Sequence, residues 1–155
     1  MALGLENVIA ALSNFKEPTM SRFAQKLQPL MDEITKYAIS MFYSDWSSSA
    51  DEHYIRTGNF MNGGTTLLTP DSEGIDIEVF GGLMGMYPGW SGNNMLAPDP
   101  AFDFFFENGE HGHGRWLAAT TKPPGEYYDE RIDMEDSKIG QLLVDSADEV
   151  LSELL

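Results

Sequence analysis

Glu107, Glu110, His111 and His113 are the side chains of this sequence whose types and spacing come closest to a reactive site. Together they read Glu-x-x-Glu-His-x-His, a set of oxygen and imidazole donors that zinc or iron accepts. On a strand, His111 and His113 would share a face. Gly109, Gly112 and Gly114 flank them and argue for a loop, which preorganises ligands poorly. A working site also needs fixed geometry and supporting outer-shell groups. A metal-dependent hydrolase built on Glu107–His113 is therefore the alternative reading, and no metal ligand is assigned. His53, beside Asp51 and Glu52, has the chemistry of a general base, yet no activated nucleophile stands near it in sequence. Gly89-Trp90-Ser91-Gly92-Asn93 lacks the glycine that a nucleophile elbow needs at its fifth position. No phosphate loop or dinucleotide fingerprint is present. The absence of cysteine removes disulfides, thiol catalysis and the commonest ligand of structural zinc. No catalytic residue and no cofactor is expected.

What remains is a folded, strongly acidic chain. Its 155 residues fit one domain, 1–155, long enough to bury roughly 70% of its unfolded surface. Hydrophobic residues make up 42% of it, including 9 Phe, 6 Tyr and 3 Trp, which supplies a core and excludes wholesale disorder. No apolar run is long enough for a transmembrane helix, and the opening Met-Ala-Leu-Gly-Leu-Glu has no basic n-region. Synthesis in a cytoplasm and no membrane partner are expected. Nine Lys and Arg against 25 Asp and Glu give a formal charge of −16. Such a surface repels nucleic-acid phosphates and anionic lipids. Beyond solubility, the charge suits a channel wall along which DNA slides without sticking, or an acidic DNA mimic that occupies basic binding surfaces.

The elements read as follows. Leu5, Val8, Ile9, Leu12 and Phe15 form a helical stripe, and the first helix is expected over 3–17, stopping before Pro18. A second helix is expected over 20–46. It carries Phe23, Leu27, Leu30, Ile34, Tyr37, Ala38 and Met41 on one buried stripe, with a kink or break at Pro29. Phe42, Tyr43 and Trp46 crowd its end, and Ser47-Ser48-Ser49 marks a loop. From about residue 63 the period shortens, and 60–120 reads as the sheet region. Thr65 to Leu68 is β-prone, Pro70 to Gly74 is a turn, and Ile75, Ile77 and Val79 alternate with Asp76 and Glu78. Gly and Pro dominate 81–100, read as a long loop whose Met84, Met86, Tyr87, Trp90 and Met95 serve either an interface or the domain's own core. Phe102, Phe104, Phe105 and Phe106 must be buried, as strand or helix. The C-terminal helix is expected over 134–155. Asp133 is its N-cap, and Ile139, Leu142, Leu143, Ala147, Val150, Leu151 and Leu154 lie on one face. The fold class is thus α+β: N-terminal helices, a small antiparallel sheet with a hairpin, and a C-terminal amphipathic helix packed on it.

Between the long helix and the hairpin stands Arg56-Thr57-Gly58-Asn59-Phe60. Arg56 and Thr57 can tie off a helix end, and Gly58-Asn59 tolerates positive φ, so the chain can turn sharply there. This junction, with Gly4-Leu5-Glu6-Asn7-Val8 before it, Phe106-Glu107-Asn108-Gly109 after it and a closing amphipathic helix, resembles the tail-completion or head–tail joining proteins of tailed bacteriophages. The four features fall in the family's order across nearly the whole chain. Ile55-Arg56, Asn108 and Glu110 depart from its usual residues, and the loop at 81–100 is long. The resemblance implies a non-enzymatic virion protein of the neck or tail terminus, forming a homo-oligomeric ring. Its partners would be copies of itself and neighbouring neck and tail-tube proteins, with genomic DNA passing through unbound. Asp71, Glu73, Asp76 and Glu78 are the first candidates to face such a bore.

Overall fold

The structure, a computed structural model, describes residues 5–45, 63–71, 73–82, 87–88, 95–96, 98–109 and 122–154. Its architecture is α+β, with the C-terminal helix packed on a small antiparallel sheet. In chain order the described elements are α1 (Leu5–Asp45), β1 (Thr65–Pro70), β2 (Ile75–Phe80), β3 (Tyr87–Pro88), β4 (Met95–Leu96), α2 (Pro98–Asn108), α3 (Pro124–Met134) and α4 (Asp136–Leu154). β1 pairs with β2, and β3 pairs antiparallel with β4 through Tyr87↔Leu96 and Pro88↔Met95.

The expected break before Pro18 is corrected: α1 is one helix of 41 residues with both prolines inside it, so Pro29 does not interrupt it either. Each proline removes one backbone donor. Both lie on the exposed side of the helix, as do Asn14 and Gln25, whose carbonyls lose that bond and can turn to water instead. The opposite face is held by burial of Phe23, Ala24, Leu27 and Leu30 and, further on, Met31, Ile34, Ala38, Ile39 and Phe42. Side-chain packing of this extent outweighs two missing hydrogen bonds. Tyr37, expected on the buried stripe, is exposed, while Met31, Thr35 and Ile39 are buried in its place.

The chain forms two compact units. One comprises Met1–Leu30, Leu67–Glu78 and Glu135–Leu155. Its core gathers Phe23, Ala24, Leu27 and Leu30 of α1, Leu68 of β1 and Val150 of α4. The hairpin turn closes by Asp71 N–H donating to the Gly74 carbonyl at 3.0 Å. The Asp71 carboxylate accepts from the N–H groups of Glu73 at 2.6 Å and Gly74 at 2.8 Å, an Asx-type turn. Thr66 and Leu68 point inward from β1 and Leu67 outward, as alternation requires. β2 departs from expectation. Ile75 and Val79 are only half-buried, and Ile77 is 42% exposed, so the apolar side of this strand is left partly open.

The other unit comprises Met31–Thr66 and Val79–Met134. The region expected as sheet over 60–120 contains a helix: α2 begins at Pro98 and carries the phenylalanine run. Pro98 and Pro100 sit in its first turn, where backbone donors have no intrahelical partner anyway. The stretch expected as loop over 81–100 holds β3, β4 and the start of α2 among its described residues. α2 packs against α3, a helix with no counterpart among the expected elements. Pro124 opens it. The core is aromatic. Phe42 meets Phe105 edge-on at 5.2 Å, Phe102 stacks on Phe106 at 5.5 Å, and Phe106 meets Tyr128 edge-on at 5.7 Å. α2 stops at Gly109, which adopts φ +69° and donates its N–H to the Phe105 carbonyl at 2.8 Å. That is an αL cap, a backbone that L side chains resist.

Candidate functional site

Of the Glu-x-x-Glu-His-x-His set, Glu107 lies exposed in the last turn of α2. Glu110, His111 and His113 lie outside the described residues. So do Asp51, Glu52 and His53, the segment Gly89–Asn93, the junction Arg56–Phe60, and Met84, Met86 and Trp90 of the loop. Among the described residues, no group of three or more His, Cys, Asp or Glu side chains converges to hold a metal ion. No described helix is long and apolar enough to cross a membrane.

The C-terminal helix is where the structure brings chemistry-bearing groups together. Asp133, expected as its N-cap, belongs instead to the last turn of α3. Glu135 forms the turn, its carbonyl accepting from Lys138 and Ile139 at 2.9 Å each. α4 then turns one edge to α1. The Arg22 guanidinium donates to both carboxylate oxygens of Glu153, at 2.7 and 3.1 Å, and lies 3.6 Å from Glu149. Lys26 reaches Glu149 at 2.5 Å. The hydrogen bonds from Arg22 hold the Glu153 carboxyl below the usual carboxylate range. Sequence reasoning missed this network, though a signal was present: Arg22 and Lys26 are four apart on one helix, and Glu149 and Glu153 four apart on another.

Beside that edge, Ser146 and Val150 are buried, the Ser146 hydroxyl donating to the Leu142 carbonyl at 2.7 Å. Ile139, Leu142, Leu143 and Ala147 are half-buried. Leu151 and Leu154, expected on the buried face, are 47% and 61% exposed, and Val144 is 53% exposed. The reason is width. The apolar arc of α4 is broader than the part of it that its own unit covers.

The hairpin acids Asp71, Glu73, Asp76 and Glu78 are all exposed. Asp71 already spends its carboxylate on the turn, and those two backbone donors lower its pKa. In the other unit, Tyr128 is buried with its hydroxyl 3.6 Å from the Met31 sulfur. Burial first, then the charges of Asp129 and Asp32, push its pKa up to about 12, so the phenol stays neutral. Arg131 lies over the Tyr37 ring at 5.1 Å and Lys122 over the Tyr127 ring at 4.2 Å, and Lys122 also pairs with Glu130. Tyr37 and Met134 are exposed there.

Compared with family models, with curated proteins and with solved structures, the chain matches none. The described geometry offers open apolar side chains, an acidic hairpin and a cross-linked pair of helices. Those are the materials of binding surfaces.

Proposed function

We propose that this protein is a structural subunit of a tailed-phage virion, forming a ring at the head–tail junction or tail terminus. The observation that carries the reading is the order of features along the chain. In sequence order Gly4–Val8 comes first, with the long helix beginning at Leu5; the Thr57–Phe60 junction follows, then a hairpin, an aromatic stretch and a closing amphipathic helix. Phe106-Glu107-Asn108-Gly109 gains a physical role in this scheme, because Gly109 caps the aromatic helix at positive φ. Both compact units also leave large apolar side chains open: Leu67, Ile77, Val144, Leu151 and Leu154 in one, Tyr37 and Met134 in the other. A subunit that meets copies of itself and neighbouring neck or tail-tube proteins has such surfaces to cover. Asp71, Glu73, Asp76 and Glu78 would face the bore and repel phosphate, letting the duplex pass without specific binding.

A nonsense mutation in the gene of the phage tests this. Filled heads and separate tails should accumulate, and purified protein added to the lysate should restore infectivity. Normal infectious particles made without the protein would rule the assignment out.

A further inference from the structure

We propose that Asn108-Gly109 is a deamidation site held shut by the cap of α2, an inference that stands independently of the virion reading. Asn-Gly occurs at two places in the chain, Asn62-Gly63 and here. The pair is among the quickest to lose ammonia, because glycine has no side chain to shield its nitrogen or to restrict the rotations that ring closure needs. The Gly109 nitrogen bonds to Cγ of Asn108, the Cγ–Nδ2 bond breaks, and ammonia leaves with the Gly109 proton. Water then opens the five-membered imide at either carbonyl, giving aspartate or isoaspartate. The step needs no oxidant and no cofactor.

The cap holds this chemistry back. Asn108 is exposed on the last turn of α2, while Gly109 beside it is buried. The attacking nitrogen is already engaged, since the Gly109 N–H donates to the Phe105 carbonyl at 2.8 Å with φ at +69°. That bond retains the proton that must leave and fixes the direction of the nitrogen. Ring closure also requires Cβ and the next nitrogen to eclipse about the Cα–C bond, and a helical ψ of about −42° holds them roughly 80° apart. Rotation there breaks the cap and draws Gly109 away from Phe42 and Pro123, where a Cβ would lie 3.0 and 3.4 Å from their atoms. Deamidation therefore proceeds from the opened cap, and its rate follows that opening.

The change runs one way. Either product adds a negative charge to the helix end beside Glu107, where the dipole opposes it and no basic residue of the last turn offsets it. Isoaspartate also carries the main chain through Cβ, one atom longer, so the Gly109 N–H no longer meets the Phe105 carbonyl. The helix that brings Phe102 and Phe105 into the core is left with a loosened end.

The test incubates the full chain at mildly alkaline pH, folded and in urea. Mass spectrometry follows conversion at Asn108, with fragment ions that separate it from Asn62, and enzymatic methylation counts isoaspartate. Conversion in the folded chain should be slower than in urea on the order of tenfold or more. Gly64→Ala presses on Phe102 and leaves the dipeptide intact, so it should speed conversion. Should that variant fail to fold, a series of urea concentrations below the unfolding transition of the parent makes the same test, because conversion and hydrogen exchange at the Gly109 amide must rise together. The aged parent should melt below the fresh one, and Asn108→Gln, which can close only a larger ring, should fall less through the same incubation. The proposal is overturned if Asn108 converts as fast folded as in urea, if it does not convert in urea, or if Gly109 exchange and conversion part company. An aged Asn108→Gln chain that falls as far as the parent would overturn the one-way loosening.

Discussion

Thr35 and Thr66, 31 residues apart in sequence, bring their hydroxyl oxygens to 3.0 Å in a buried contact. Asp32, one turn earlier in α1, accepts from the Thr66 N–H at 3.3 Å. Two polar links thus fasten the first residues of β1 to the long helix, and the strand's alternation starts from that anchor. Removing one hydroxyl from such a buried pair costs about 1–3 kcal/mol, whereas removing both leaves no partner wanting. Thr35→Val should therefore lower stability in chemical denaturation. The double variant Thr35→Val, Thr66→Val should lose less than the sum of the two singles. Strict additivity would mean the two hydroxyls do not cooperate.

Three glycines give a graded series. A Cβ at Gly64 would lie 2.8 Å from the Phe102 ring and 3.0 Å from Ile39, both fully buried, so Gly64→Ala overpacks the aromatic core. The expected loss is about 1–3 kcal/mol. Gly109→Ala forces an L residue to φ +69° and brings its Cβ to 3.0 Å from Phe42, for a loss of about 1–2 kcal/mol or more. Gly140→Ala meets nothing within 4 Å in the interior of α4 and should stabilise by about 0.5–1 kcal/mol. Thermal melts that reverse this order would contradict the packing around Gly64 and Gly109.

Acid should act through two named carboxyls. Asp71 and Glu153 are both held below their usual pKa in the folded chain, by turn N–H groups and by Arg22 respectively. A carboxyl of this kind adds stability above its unfolded pKa, about 4 for these types, and loses it as pH falls through the folded value. Asp71→Asn and Glu153→Gln should each flatten the stability profile below about pH 4. Because the Arg22–Glu153 pair is exposed, added salt should shrink its effect. A profile identical in parent and variants would show that neither contact matters to folding.

The fold was legible where period and turn chemistry agree. Thr65–Leu68, the Pro70–Gly74 turn and the amphipathic C-terminal stretch each became the expected element. It was not legible where proline misled. Pro18 and Pro29 mark helix ends in isolation, but exposed positions on a helix whose other face is deeply buried tolerate them. Pro124 is tolerated for a complementary reason: it opens α3, and the first turn needs no donor from it. Phe102 and Phe105 are buried as the run suggested, with Phe106 half-buried, but the run was not readable as helix, because four phenylalanines in five positions carry no period. Periodicity also showed which face of α4 is apolar without showing how much of it a neighbour covers. That depends on the width of α1 and the hairpin, which no local pattern encodes.

The most direct test of the central claim is the number of copies of this chain in the finished particle. Quantitative mass spectrometry of purified virions, scaled to packaged DNA, gives that number, and averaging electron micrographs about the tail axis gives its symmetry. A ring subunit at the neck or tail terminus predicts several copies, the same in every particle, arranged cyclically about that axis. Virions that contain none of the protein, or a single copy, would contradict it.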